Sequence, residues 1–98
     1  MAYFWVCAHP ERYYEGQRCR SLRTARRFAY RHMMAVGKGR AGGWCHIVKE
    51  THDTWEVEGT MHTLKDRKVD WHSKFYWKQK KIIHRYVNPD GTLGENVR

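Results

Sequence analysis

The sequence has little negative charge and no long apolar segment. Its 98 residues include 10 Asp and Glu against 19 Lys and Arg, for a formal net charge of +9. No apolar run approaches the roughly 20 residues that span a bilayer, so we expect no membrane contact. The N-terminal segment also lacks the pattern of a secretory signal. The excess of positive charge excludes the acidic proteins that imitate DNA.

Cysteine is scarce, and most catalytic and metal-binding motifs are absent. Cys7, Cys19 and Cys45 are odd in number and show no CxxC spacing, which predicts reduced thiols in a cytoplasmic protein. The chain has 7 His but no zinc-ligand spacing, so no metal is expected. It has no nucleophile-elbow, HExxH, P-loop or dinucleotide-binding motif. We therefore predict neither a cofactor nor an enzymatic activity.

The composition is that of a folded domain. Hydrophobic residues make up 41% of the chain and aromatic residues 14%, which excludes a disordered segment. The length corresponds to one domain. We predict a single α+β domain over residues 1–91 and a flexible C-terminal tail over residues 92–98.

The hydrophobic pattern predicts one helix among several strands. Ser21 is the expected N-cap of a helix that ends near Gly37 and carries an apolar stripe at helical spacing. The remaining pattern predicts one helix packed on a mainly antiparallel sheet of four to five strands, in the order β-α-β-β-β-β. The predicted strands are residues 2–8, 44–50, 54–64, 68–78 and 81–87. Residues 78–88 also fit a C-terminal helix, although their paired β-branched and aromatic residues favour a strand.

One hairpin has a predicted register. Pairing residues 54–64 with residues 68–78 places large apolar side chains opposite each other on one face and opposite charges on the other. Trp55, Trp71 and Trp77 lie on the apolar face and are predicted to be core residues, together with Phe75. Tyr13, in the polar connection after the first strand, is predicted to be exposed.

Nearly all the excess positive charge lies in the first half of the chain. Residues 1–49 contain ten Lys and Arg against two acidic residues, whereas residues 50–98 contain nine against eight. Four of the arginines follow each other at steps of three and four residues, so they share one helix face. The predicted contact surface consists of Arg12, Arg18, Arg20, Arg23, Arg26, Arg27, Tyr30, Arg31, Lys38 and Arg40.

A second group of polar side chains is predicted on the exposed face of the sheet. If the strand over residues 44–50 pairs with residues 54–60, His46, Glu58 and Lys74 become lateral neighbours, with His72 one position along. Such a group could serve in acid–base catalysis. A row of ordinary cross-strand charge pairs is the commoner meaning of the pattern, so we assign no catalytic residue.

The sequence favours a function in binding. Guanidinium groups concentrated on one helix face are typical of a surface that contacts phosphates, so the leading hypothesis is binding of DNA or RNA with modest sequence preference. The alternative partner is an acidic protein surface. In that case the chain resembles, in general character, the small inhibitors and adaptors with which bacteriophages block nucleic-acid-processing or defence enzymes.

Overall fold

The structure is a computed structural model and describes residues 2–36, 43–52, 56–57, 60–61 and 67–97. Within these ranges the chain forms one α-helix, one 3₁₀ helix and eight strands. In chain order the elements are β1 (Ala2–Cys7), the 3₁₀ helix (Pro10–Glu15), β2 (Gln17–Cys19), α1 (Leu22–Val36), β3 (Trp44–His52), β4 (Glu56–Val57), β5 (Thr60–Met61), β6 (Arg67–Lys78), β7 (Lys81–Val87) and β8 (Leu93–Asn96).

Six of the strands form one antiparallel sheet. Their order across the sheet is β2-β1-β3-β6-β7-β8, and β4 and β5 form a separate two-stranded hairpin. The α+β class, with one main helix and an antiparallel sheet, is confirmed. The predicted number and order of strands need correction, because β2 precedes the helix and β8 follows β7.

The predicted pairing of residues 54–64 with residues 68–78 is wrong. β6 pairs with β3 on one side and with β7 on the other, so that Phe75 lies between Cys45 and His84. Both edges of β6 are therefore occupied from Ser73 to Tyr76. Alternation assigns each side chain to a face of the sheet but does not name the neighbouring strand, and β3 satisfies the same pattern.

A β-bulge at His72 interrupts the alternation of β6. Ile47 pairs with Ser73, but the next residue, Val48, pairs with Trp71, so His72 is the extra residue. The two parts of β6 are therefore out of phase with each other. Trp71 consequently shares the face of Val48 and is exposed, although it was predicted to be a core residue.

The N-terminus of α1 and its apolar stripe agree with the prediction. The backbone N–H of Thr24 donates to Ser21 Oγ at 3.1 Å, which confirms Ser21 as the N-cap. Ala25, Ala29 and Met33 are completely buried against the sheet. The two alanines allow α1 to approach the strands closely. The described helices are too short and too polar to traverse a lipid bilayer.

The main core lies between α1 and the sheet. Phe75 and Ile47 have no exposed surface, and Val6 packs with them under the helix. Trp77 packs against the same cluster, and its indole N–H donates to the Met33 carbonyl oxygen at 3.1 Å. This bond attaches β6 to the last turns of α1.

A smaller core lies on the opposite face of the sheet, under the 3₁₀ helix. Tyr13 is buried there with Cys7 and Val48, and its ring meets that of Trp5 edge-on at 5.5 Å. The prediction that Tyr13 is exposed is therefore wrong. The close return of the chain requires Gly16, because a Cβ at that position would collide with the Val6 carbonyl oxygen.

The C-terminal part of the chain is strand throughout most of its length. β7 has the predicted bounds, so the helical alternative for residues 78–88 is excluded. Gln79 and Lys80 have positive φ angles of 50° and 63°, as the two-residue turn between β6 and β7 requires. Residues 92–98, predicted as a tail, contribute β8, which pairs with β7.

Candidate functional site

Four of the predicted arginines form a continuous exposed surface, which we call the basic face: Arg20, Arg23, Arg27 and Arg31. The last three lie on α1 at intervals of four residues, about 6 Å apart along the helix axis. Arg20 immediately precedes the N-cap. Within the described part of the chain, no carboxylate forms an ion pair with any of the four.

This row of arginines lowers the stability of α1. Like charges at i and i+4 repel each other by a few tenths of a kcal/mol. The positive end of the helix dipole also disfavours Arg23 in the first turn, where α1 has no acidic residue. A bound anion would offset both effects, so the basic face is better suited to an anionic ligand than to helix stability.

The structure does not bring all the predicted contact residues together. Arg12 is in the 3₁₀ helix and forms an exposed ion pair with Glu15 at 3.9 Å. Arg18 pairs with Trp5 in the sheet and lies over the Tyr3 ring at 4.8 Å. Both arginines are thus on the side of the sheet opposite α1.

Two further predicted contact residues, Lys38 and Arg40, belong to the glycine-rich connection after α1. This connection lies outside the described residues. Their place in the contact surface therefore stays a prediction.

Arg26 and Tyr30 lie on the flank of α1 that faces β6 and β7. Arg26 is half-buried, and its charge helps to lower the pKa of two neighbouring histidines. Tyr30 is 44% exposed, and its ring meets Phe75 edge-on with 5.3 Å between centroids. This flank therefore joins the basic face to the sheet.

A hydrogen-bonded cluster that sequence reasoning missed lies beneath this flank. The Ser73 hydroxyl is 2.7 Å from His84 Nε2 and 2.9 Å from His72 Nδ1. A hydroxyl can donate to one neutral imidazole and accept from the N–H of the other. Ser73 and His84 are buried, and His84 Nδ1 has no hydrogen-bond partner among the described residues. No motif spacing indicates this cluster, because the β6 bulge and the β6–β7 pairing create it.

The cluster is neutral at physiological pH. Burial, followed by the charges of Arg26 and His72, lowers the pKa of His84 from 6.5 to about 4. Burial and the charges of Lys49 and Arg26 also lower the pKa of His72. Two uncharged imidazoles beside one serine hydroxyl make a hydrogen-bonded link between β6 and β7.

Because His84 is buried, we predict that the protein loses stability in mild acid. The unfolded chain binds a proton at His84 near the ordinary pKa of 6.5, whereas the folded chain binds it only near 4. The unfolded state therefore takes up more protons as the pH falls through this window, and we expect His84 to reduce the free energy of unfolding by about 1–3 kcal/mol. Urea denaturation at several pH values measures this. His84→Phe should show a shallower fall, and identical pH profiles for the two proteins would contradict the prediction.

The predicted polar group on the sheet is only partly assembled. His46 and Lys74 are direct cross-strand partners, and burial followed by the charge of Lys74 lowers the pKa of His46. Glu58 lies outside the described residues. His72 is on the other face, where it contacts Phe4, because of the bulge. Of the predicted group, the described residues therefore bring together only His46 and Lys74.

Comparison with protein families, curated proteins and solved structures finds no match. The residues themselves therefore carry the functional argument. The described positions contain no group of three or more His, Cys, Asp or Glu side chains arranged to hold a metal ion. The feature with the clearest chemical meaning is the basic face, with its inner flank of Arg26 and Tyr30.

Proposed function

We propose that this protein binds nucleic acid through the basic face, mainly at phosphates and without catalysing a reaction. The observation that carries the proposal is the row of exposed guanidinium groups on α1 with no described carboxylate to neutralise them. Each guanidinium can hold a phosphate with two parallel hydrogen bonds. Phosphate contacts release condensed counterions, which supplies affinity for any sequence.

A salt series tests this proposal. Binding of mixed-sequence DNA and RNA is measured by fluorescence anisotropy at increasing salt concentration. If the four arginines of the basic face each neutralise one phosphate, the logarithm of the association constant should fall with the logarithm of salt at a slope of about −3 to −4. Absence of binding at low salt would overturn the proposal.

An acidic protein surface is the second candidate partner. Met34 is strongly exposed and lies on the same side of α1 as Arg27 and Arg31. Exposed apolar side chains among arginines are typical of protein interfaces, and phosphate binding gives Met34 no role. In this case the protein acts as an inhibitor or adaptor. A pull-down with immobilised protein, compared with a Met34→Ser and Arg31→Glu variant, identifies such a partner.

A further inference from the structure

Ring side chains form a row that runs from α1 across the sheet to β7. Tyr30 meets Phe75 edge-on, and Phe75 stacks on His84 with 3.7 Å between ring centroids and an interplanar angle of 13°. His84 and His72 share the Ser73 hydroxyl, and His72 meets Tyr86 edge-on at 5.6 Å. We call these five side chains the ring row: Tyr30, Phe75, His84, His72 and Tyr86.

The ring row is buried in the middle and exposed to solvent at both ends. Phe75 has no exposed surface and His84 very little, whereas Tyr30 and Tyr86 are 44% and 42% exposed. α1 packs mainly on β1, β2, β3 and β6, so Tyr86 on β7 lies beyond the part of the sheet that the helix mainly covers. Buried contacts thus hold two tyrosine rings in place while their outer surfaces face solvent.

Positive charge lies along the ring row. Arg26 is close enough to both histidines to lower their pKa values, and the basic face continues from it around the helix. A surface that combines a cationic track with aromatic platforms is complementary to single-stranded nucleic acid, whose phosphates and base faces are both accessible. A duplex offers its phosphates but keeps its base faces stacked inside.

We propose that the preferred ligand is a single-stranded nucleic acid, whose bases stack on Tyr86 and Tyr30 while its phosphates contact Arg26 and the basic face. This inference rests on the proposed function and deepens it. The rings need no sequence information, because every base has a π face. The His72–Ser73–His84 hydrogen bonds join β6 to β7 beneath the rings, and the neutral imidazoles leave phosphate binding to the arginines.

Tyr86→Leu tests the inference, because it keeps an apolar side chain but removes the ring. The ligands are a mixed-sequence single strand of RNA or DNA, a strand of the same length without bases, and a duplex of the same sequence. Loss of one stacked base should weaken binding of the single strand by about 5- to 150-fold. Binding of the abasic strand and of the duplex should stay unchanged, and Tyr86→Phe should bind the single strand like the parent protein.

Tyr14→Leu is the matched control, since Tyr14 is 61% exposed but belongs to the 3₁₀ helix on the other side of the sheet. It should bind all ligands like the parent. Parental affinity of Tyr86→Leu for the single strand, or equal affinity of the parent for the strands with and without bases, would overturn the inference. The proposed function would survive either result as long as the salt dependence persists, and it fails separately if no nucleic acid binds.

Discussion

Reversing the charges of Arg27 and Arg31 together is expected to weaken binding of nucleic acid strongly. Each arginine loses a charge-assisted phosphate contact, and each introduced carboxylate repels the backbone. At about 1.5–3 kcal/mol per contact, the double variant Arg27→Glu, Arg31→Glu should bind at least about 100-fold more weakly. The salt slope should also become less steep by about two. Anisotropy titrations at low salt measure both quantities.

The control reverses two charges on the face of the sheet opposite α1, since their neighbours Trp77 and Ile82 pack towards the helix. Lys78 and Lys81 are exposed cross-strand partners at the end of the β6–β7 hairpin, so Lys78→Glu, Lys81→Glu causes the same change in net charge. This variant should bind within a few-fold of the parent. Equal losses in the two double variants would show that total charge, and not the basic face, determines affinity. The fold should persist in the arginine variant, because the attraction between Arg23 and the carboxylate introduced at position 27 offsets the repulsion between the two introduced carboxylates, and each effect amounts to only a few tenths of a kcal/mol.

Phe75→Ala is expected to have the largest effect on stability. The ring is completely buried, stacks on His84 and contacts Tyr30, so its removal leaves a cavity under α1. Phe-to-Ala exchanges at such sites cost about 3–5 kcal/mol, a large part of the typical free energy of unfolding of a small domain. Urea denaturation of the variant and the parent measures the difference.

Phe28 provides the comparison for this exchange. It lies on α1 but is 39% exposed, so Phe28→Ala should cost less than half as much. A similar loss from the two exchanges would contradict the assignment of the main core to the space between α1 and β6. Because Phe75 also supports the ring row, Phe75→Ala should weaken binding of a single strand even under conditions where the protein remains folded.

Local signals predicted the elements better than their partners. Ser21 and the stripe of Ala25, Ala29 and Met33 lie within one helix, so capping and a period of 3.6 residues were enough to place them. The partner of β6 depends on which strand buries the most apolar surface beside it, and that choice is made across the whole sheet. The extra residue of the bulge, His72, then places Trp71 on the opposite face of the sheet from the one predicted. Alternation alone gives no sign of such a bulge.

The candidate site shows the same limit. The spacing of Arg23, Arg27 and Arg31 follows from helix geometry, so their common face was predictable. Arg18 is close to them in sequence, yet its position in β2 directs it to the opposite side of the sheet, over Tyr3. The ring row joins residues from α1, β6 and β7 and depends on tertiary pairing, which no spacing within one segment encodes.

The three buried thiols can serve as probes of local unfolding. Cys7 lies under the 3₁₀ helix, while Cys19 and Cys45 lie under α1, and all three are buried and unbridged. Burial raises the pKa of Cys7 and of Cys45 to about 12, so neither forms the reactive thiolate while its cover stays in place. The rate of alkylation at Cys7 would report how often the 3₁₀ helix detaches from the sheet. The rate at Cys45 would report how often α1 separates from it. The two faces of one sheet can thus be followed independently in the unaltered chain.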